Sequence, residues 1–172
     1  MIRQASNEDI EAIMAIASKA VQVMNAEGSD QWNESYPTVE HFLQDIEEHT
    51  LFVMENDQRT VGFITIDQDI PQRFEHLSWS YPDHEAGTFH RLAVDPAVRN
   101  IGVAAELIRF AEAKCQDEGL KAMKIDTYAL NKKARHLFER LGYNLVGYSR
   151  GGTDRTQPFY YYEKVLTDEE AG

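Results

Sequence analysis

Leu92-Ala93-Val94-Asp95-Pro96-Ala97-Val98-Arg99-Asn100-Ile101-Gly102-Val103-Ala104 decides the fold of this chain. An apolar strand ends in an Asp-Pro turn, since proline cannot continue a hydrogen-bonded ladder. Arg99-x-x-Gly102-x-Ala104 then opens a helix whose inner face is Ala104, Leu107, Ile108, Ala111 and Cys115. Free backbone N–H groups at a helix N-terminus, aided by the helix dipole, form an anion site. Gly102 has no Cβ, so a phosphate can approach the backbone, and Arg99 adds a permanent positive charge. The pattern suits a pyrophosphate. No Gly-Lys-Ser/Thr follows, so it is not a P-loop, and it lacks the Gly-x-Gly-x-x-Gly of a dinucleotide site.

Outward from this stretch the elements alternate. Ile2–Ala5 reads as a short strand, and Ser6 with Asp9 resembles a capping box. Ile10, Ile13, Met14, Ala17, Val21 and Met24 follow at helical spacing up to Gly28. A second helix runs from Thr38 with Val39, Phe42, Leu43 and Ile46 on one face. Leu51–Glu55 and Thr60–Asp67 form a hairpin about Asn56-Asp57-Gln58-Arg59. Residues 68–86 are a long polar and aromatic connection with no regular pattern. Thr88–Val94, Ala122–Tyr128, Tyr143–Tyr148 and Phe159–Val165 are strands, and Ala134, Leu137, Phe138 and Leu141 mark a short helix closed by Gly142. The order predicts an α/β chain with a mixed sheet. With 172 residues and no linker or repeat, one domain over residues 1–172 is expected.

Two further segments complete a pattern. Asn131-x-x-Ala134-x-x-Leu137-Phe138-Glu139-x-Leu141-Gly142-Tyr143 lies about thirty residues beyond the first stretch, and Phe159–Leu166 is an aromatic closing strand. Together these three segments resemble the GNAT family of N-acetyltransferases, over nearly the whole chain. The resemblance implies a mixed, mostly antiparallel central sheet of six to seven strands, flanked by about four helices and splayed at an acyl-CoA cleft. It implies acetyl-CoA as co-substrate. Leu92 and Val94 would meet the pantetheine arm, Leu92 or Val94 also supplying a backbone N–H to the oxyanion. Arg99, Asn100, Ile101, Gly102, Val103 and Ala104 would hold the pyrophosphate. Asn131 would bond the pantetheine, with Ala134 and Phe138 near the thioester; plain core packing explains the latter two equally well.

His90 is the candidate base, because imidazole titrates near neutral pH and strand alternation would put it on the face of Leu92 and Val94. His90-Arg91-Leu92-Ala93-Val94 is similar to a stretch of arylalkylamine N-acetyltransferases in which a strand histidine serves the proton path. A partly buried structural histidine is the alternative. The family's acid, a tyrosine, is replaced by Phe138, which leaves a non-catalytic acyl-CoA-binding module as a second reading. Trp32, Tyr36 and Trp79 are candidate contacts for a small-molecule or peptide amine, by cation–π contact near carboxylates. Trp32 and Trp79 would equally cap the core or fill the interface of a homodimer.

Composition sets outer limits. A net charge of −12 argues against a nucleic-acid partner, which needs clustered Lys and Arg. No apolar run approaches the roughly 20 residues that span a bilayer, and no secretory leader is evident, so a cytoplasmic location is expected. The six histidines show no ligand spacing, so no metal is assigned, and the lone Cys115 reads as a small buried hydrophobe. The charge is uneven: residues 1–90 carry −13, residues 91–150 carry +4 and residues 151–172 carry −3. Solvated helix faces account for this, or the middle segment meets an anion while the first half attracts a cationic amine.

Overall fold

A computed structural model describes residues 1–98, 102–150 and 157–166. Its elements run β1 (Ile2–Gln4), α1 (Ile10–Ala26), α2 (Val39–Glu47), β2 (Leu51–Asn56), β3 (Arg59–Asp67), β4 (Ala86–Val94), α3 (Val103–Asp117), β5 (Ala122–Tyr128), α4 (Lys132–Arg140), β6 (Asn144–Ser149) and β7 (Phe159–Val165). The strands follow in the order β1-β2-β3-β4-β5-β7-β6, mostly antiparallel, as the sequence led us to expect. The chain folds as two compact units, one of Met1–Ile66 with Phe89–Phe110, the other of Asp67–Thr88 with Ala111–Gly172. Both are discontinuous in sequence, so no linker marks their boundary.

In the first unit the alternation of β2 and β3 puts Leu51, Val53 and Phe63 on one face, under Ile13, Ile16 and Ala17 of α1 and Phe42 of α2. Phe52 takes the opposite face and meets Phe110 of α3, ring centroids 5.1 Å apart. The β2–β3 hairpin closes through Asp57 and Gln58 at φ +53° and +64°, the twist a two-residue turn between right-twisted strands needs. At the entry to α1 the Ser6 N–H donates to Asp9 Oδ2 at 2.8 Å, and Arg3 donates to both Asp9 oxygens at 2.8 and 2.7 Å.

The Arg3 bonds, against the opposing effect of burial, hold the Asp9 carboxyl below its ordinary 3.8. A carboxyl depressed in the folded state stabilises above its unfolded value and loses that contribution as pH falls through the folded one. Acidification below about pH 4 is therefore expected to lower the melting temperature of the wild type more steeply than that of Asp9→Asn. Melting curves across that range check it; parallel acid limbs would contradict it.

In the second unit β4 begins beside β5 in parallel register, Ala86↔Ala122 and Gly87↔Met123, and β5, β7 and β6 continue antiparallel. The 68–86 connection is ordered on one face of this sheet by two short 3₁₀ turns and by long-range bonds. Arg73 donates to Asp126 Oδ2 at 3.0 and 2.8 Å, and the Ser80 and Tyr81 N–H groups donate to Glu163 at 2.9 and 3.3 Å. Cys115 is buried, as expected, and desolvation pushes its thiol up to about 12, which removes it as a nucleophile at neutral pH.

Candidate functional site

The end of β4 departs from a regular strand. Arg91 has φ +47°, a left-handed conformation that costs a side-chain-bearing residue roughly 1–2 kcal/mol. The other non-glycine positive φ values, at His49, Asp57 and Gln58, fall in turns. All three nitrogens of its guanidinium are hydrogen-bonded. Nε and Nη2 donate to Asp45 Oδ2 and Oδ1 at 2.6 and 2.7 Å, and Nη1 donates to the Tyr36 hydroxyl at 3.1 Å. The Thr65 hydroxyl also donates to Asp45 Oδ2, at 2.9 Å. The two charges are 12% and 5% exposed. An ion pair so buried contributes little net stability.

His90 and Leu92, half-buried, flank this residue. The period-two alternation that would place them on one face is interrupted between them at Arg91. Phe89 and Ala93 remain in the core.

After Val94 the Asp95 N–H makes a last bond to the Val61 carbonyl at 2.8 Å. The buried Asp95 carboxylate then folds the turn: it accepts the Ala97 N–H at 3.0 Å and Arg59 Nη2 at 2.7 Å, with Lys19 at 3.8 Å. The Ala97 bond first, then these cations, hold the carboxyl below its ordinary value against burial. Arg99, Asn100 and Ile101, expected at the pyrophosphate, lie outside the described residues. The chain is described again at Gly102, φ +70°, where an added Cβ would meet no described residue within 4 Å. Glycine adopts that backbone conformation without steric cost, and it adds no side chain of its own at the head of the helix. Gly102 is exposed, Val103 buried and Ala104 half-buried at the head of α3, whose first-turn N–H groups have no partner within the helix.

The remaining candidates divide between the units. Tyr36 meets β4 through Arg91, whereas Trp32, 4% exposed, belongs to the core of the first unit. In the second unit Asn131 caps α4, its Oδ1 accepting the Ala134 N–H at 3.3 Å. Phe138 is buried against Tyr143 and Tyr162, centroids 6.0 and 5.7 Å away. Trp79 stacks on Phe74 and lies with Leu77, Tyr81, Asp83 and Lys124 along an open groove of 440 Å³. Tyr128 and Tyr143, near Phe138 in sequence, both have hydrogen-bonded hydroxyls. The buried Tyr143 hydroxyl donates to Glu112 at 2.8 Å, and burial, then Glu112, raise it well above the ordinary range. The Tyr128 hydroxyl accepts the Gln157 N–H at 3.3 Å. Among the described residues no cluster of His, Cys, Asp and Glu could hold a metal, and no helix is long and apolar enough to cross a membrane.

Sequence reading missed Asp45 and Thr65. A signal existed: Asp45 stands three residues after Phe42, on the apolar face of α2, where an unpaired carboxylate is costly.

The family model for the acetyltransferase (GNAT) family matches residues 17–143. The structure is similar to a Staphylococcus aureus Mu50 chain assigned as an acetyltransferase, with 29% identity, TM-score 0.76, and 97% and 99% of the two chains covered. It is similar also to a GNAT-family acetyltransferase of Streptococcus agalactiae 2603, at 23% identity and TM-score 0.83 over 96% and 94%. The protein yncA of Salmonella typhimurium, solved with its cofactor acetyl-CoA, shares the fold at 17% identity and TM-score 0.73 over 98% and 95%. No curated protein sequence matches the chain. With the family model spanning most of its length and a Gly102-led helix following the interrupted strand β4, the chain belongs to the acetyltransferase (GNAT) family.

Proposed function

We propose that this protein transfers an acetyl group from acetyl-CoA to a primary amine by direct attack in a ternary complex. The observation that carries the proposal is the succession along one segment of the first unit: an interrupted strand, a turn fixed by Asp95, and a helix entered through an open, left-handed Gly102. The head of α3 and Arg99 take the pyrophosphate, and Leu92 and Val94 take the pantetheine arm. The Leu92 N–H faces the charge that develops on the acyl oxygen, and a fixed backbone donor is suited to that because it need not reorganise.

Alkyl amines are mostly protonated at neutral pH, so a base must take a proton before attack. His90 fills that role. His90→Gln is expected to lower kcat by about 10²-fold and to flatten its pH dependence. A pH–rate profile of the variant checks this, and wild-type turnover in it would end the assignment. The CoA thiolate leaves without a tyrosine acid, since Phe138 occupies that position. An acidic surround, −8 over the first unit and −4 over the second, favours a cationic acceptor.

Thiol release from acetyl-CoA with a panel of amines tests the proposal. Saturable, amine-dependent release is expected. Tight CoA binding without turnover on the whole panel would favour a non-catalytic acyl-CoA-binding module, the reading that the buried Phe138 keeps open.

A further inference from the structure

We infer that Arg91 is a positioning residue for this reaction: clamped by Asp45 and Tyr36, it holds β4 in its left-handed interruption and so sets the direction of the Leu92 N–H. The inference rests on the proposed acetyl transfer and adds to it a buried device.

An arginine has no intrinsic preference for positive φ; glycine, asparagine and aspartate adopt it far more readily. An ion pair alone would not require it. The observed φ of +47° persists because three donor atoms of the guanidinium are tied to fixed acceptors on other segments. Asp45 is itself fixed, since it is 5% exposed on α2 and receives the Thr65 hydroxyl from β3. The bonds thus pin the strand from two elements at once, and a left-handed residue turns the following peptide away from where a regular strand would put it. That peptide carries the Leu92 N–H. Tyr36 extends the clamp to the segment between α1 and α2, so this segment and the acyl-binding backbone are held by one side chain.

Arg91→Ala and Arg91→Gly in the full chain separate a backbone role from any other. Both remove the guanidinium and leave Asp45 with Thr65 alone, so they lose the same charge and the same packing. Only glycine regains the left-handed conformation without steric cost. Arg91→Ala is expected to lower kcat about tenfold or more with little change in KM for acetyl-CoA, and Arg91→Gly to recover most of that loss. Equal losses in two folded variants, or wild-type kcat in Arg91→Ala, would overturn the inference. If neither variant folds, Asp45→Asn carries the test, because it keeps the side-chain shape and weakens the hold on Arg91. A fall in kcat at constant KM supports the clamp there, and wild-type kcat overturns it. Wild-type protein that releases no CoA with any amine would instead remove the proposed transfer and the clamp with it.

Discussion

Gly102→Val should raise the KM for acetyl-CoA by about 30- to 100-fold while leaving the protein folded. Gly102 stands at φ +70° at the head of α3, a conformation that costs a β-branched residue at least 1–2 kcal/mol. To escape, the backbone must rotate, and the N–H groups of the first helical turn rotate with it. Two or three kcal/mol of lost anion binding corresponds to the stated range, at about 1.4 kcal/mol per tenfold. No described residue lies within 4 Å of the added Cβ, so the fall in melting temperature should reflect the conformational cost alone, about 2–8 °C. Initial-rate kinetics and a melting curve on one preparation decide it. An unchanged KM would mean that the pyrophosphate binds elsewhere.

Asp45→Ala should be the most destabilising single substitution proposed. It leaves a guanidinium that is 12% exposed without its carboxylate, and breaking a buried pair from one side costs about 3–5 kcal/mol. For a chain of this size about 2–4 °C of melting temperature is lost per kcal/mol, so a fall of roughly 10 °C is expected. Asp45→Leu combined with Arg91→Met should recover much of it, because apolar groups of similar volume often replace a buried pair without penalty. Recovered stability with turnover still impaired would separate what the pair contributes to geometry from what it contributes to folding. A melting temperature unchanged in Asp45→Ala would mean that the guanidinium finds water or another acceptor.

Much of the architecture is legible in the amino-acid sequence. The apolar stripe ending at Gly28 forms α1, the Asn56–Arg59 turn closes the β2–β3 hairpin, and every expected strand forms within a few residues of its place. Asp9 serves as the partner of Ser6. Each of these signals is local, lying within one turn or one strand. The 68–86 connection is not legible, because its anchors Asp126 and Glu163 stand 53 and 83 residues away from Arg73 and Ser80. Arg91 reads as an ordinary strand residue for the same reason: its partners are 46 and 55 positions distant. The charge division also changes meaning in the folded chain. Asp9, Asp45 and Asp95 of the acidic and central segments are committed to Arg3, Arg91 and Arg59, and the two folded units are both net acidic.

For the aromatics the sequence left two roles open, and burial separated some of them. Trp32 went into the core and Phe138 into a cluster with Tyr143 and Tyr162, while Tyr36 reached β4. By itself, then, the amino-acid sequence determined the element order, the turn at Asp95-Pro96 and the glycine-led helix after it, since periodicity, capping and turn chemistry act over a few residues. Only the tertiary structure decided the left-handed break at Arg91 and the buried carboxylate that holds it. That conformation is unfavourable locally and exists because contacts between distant segments outweigh it.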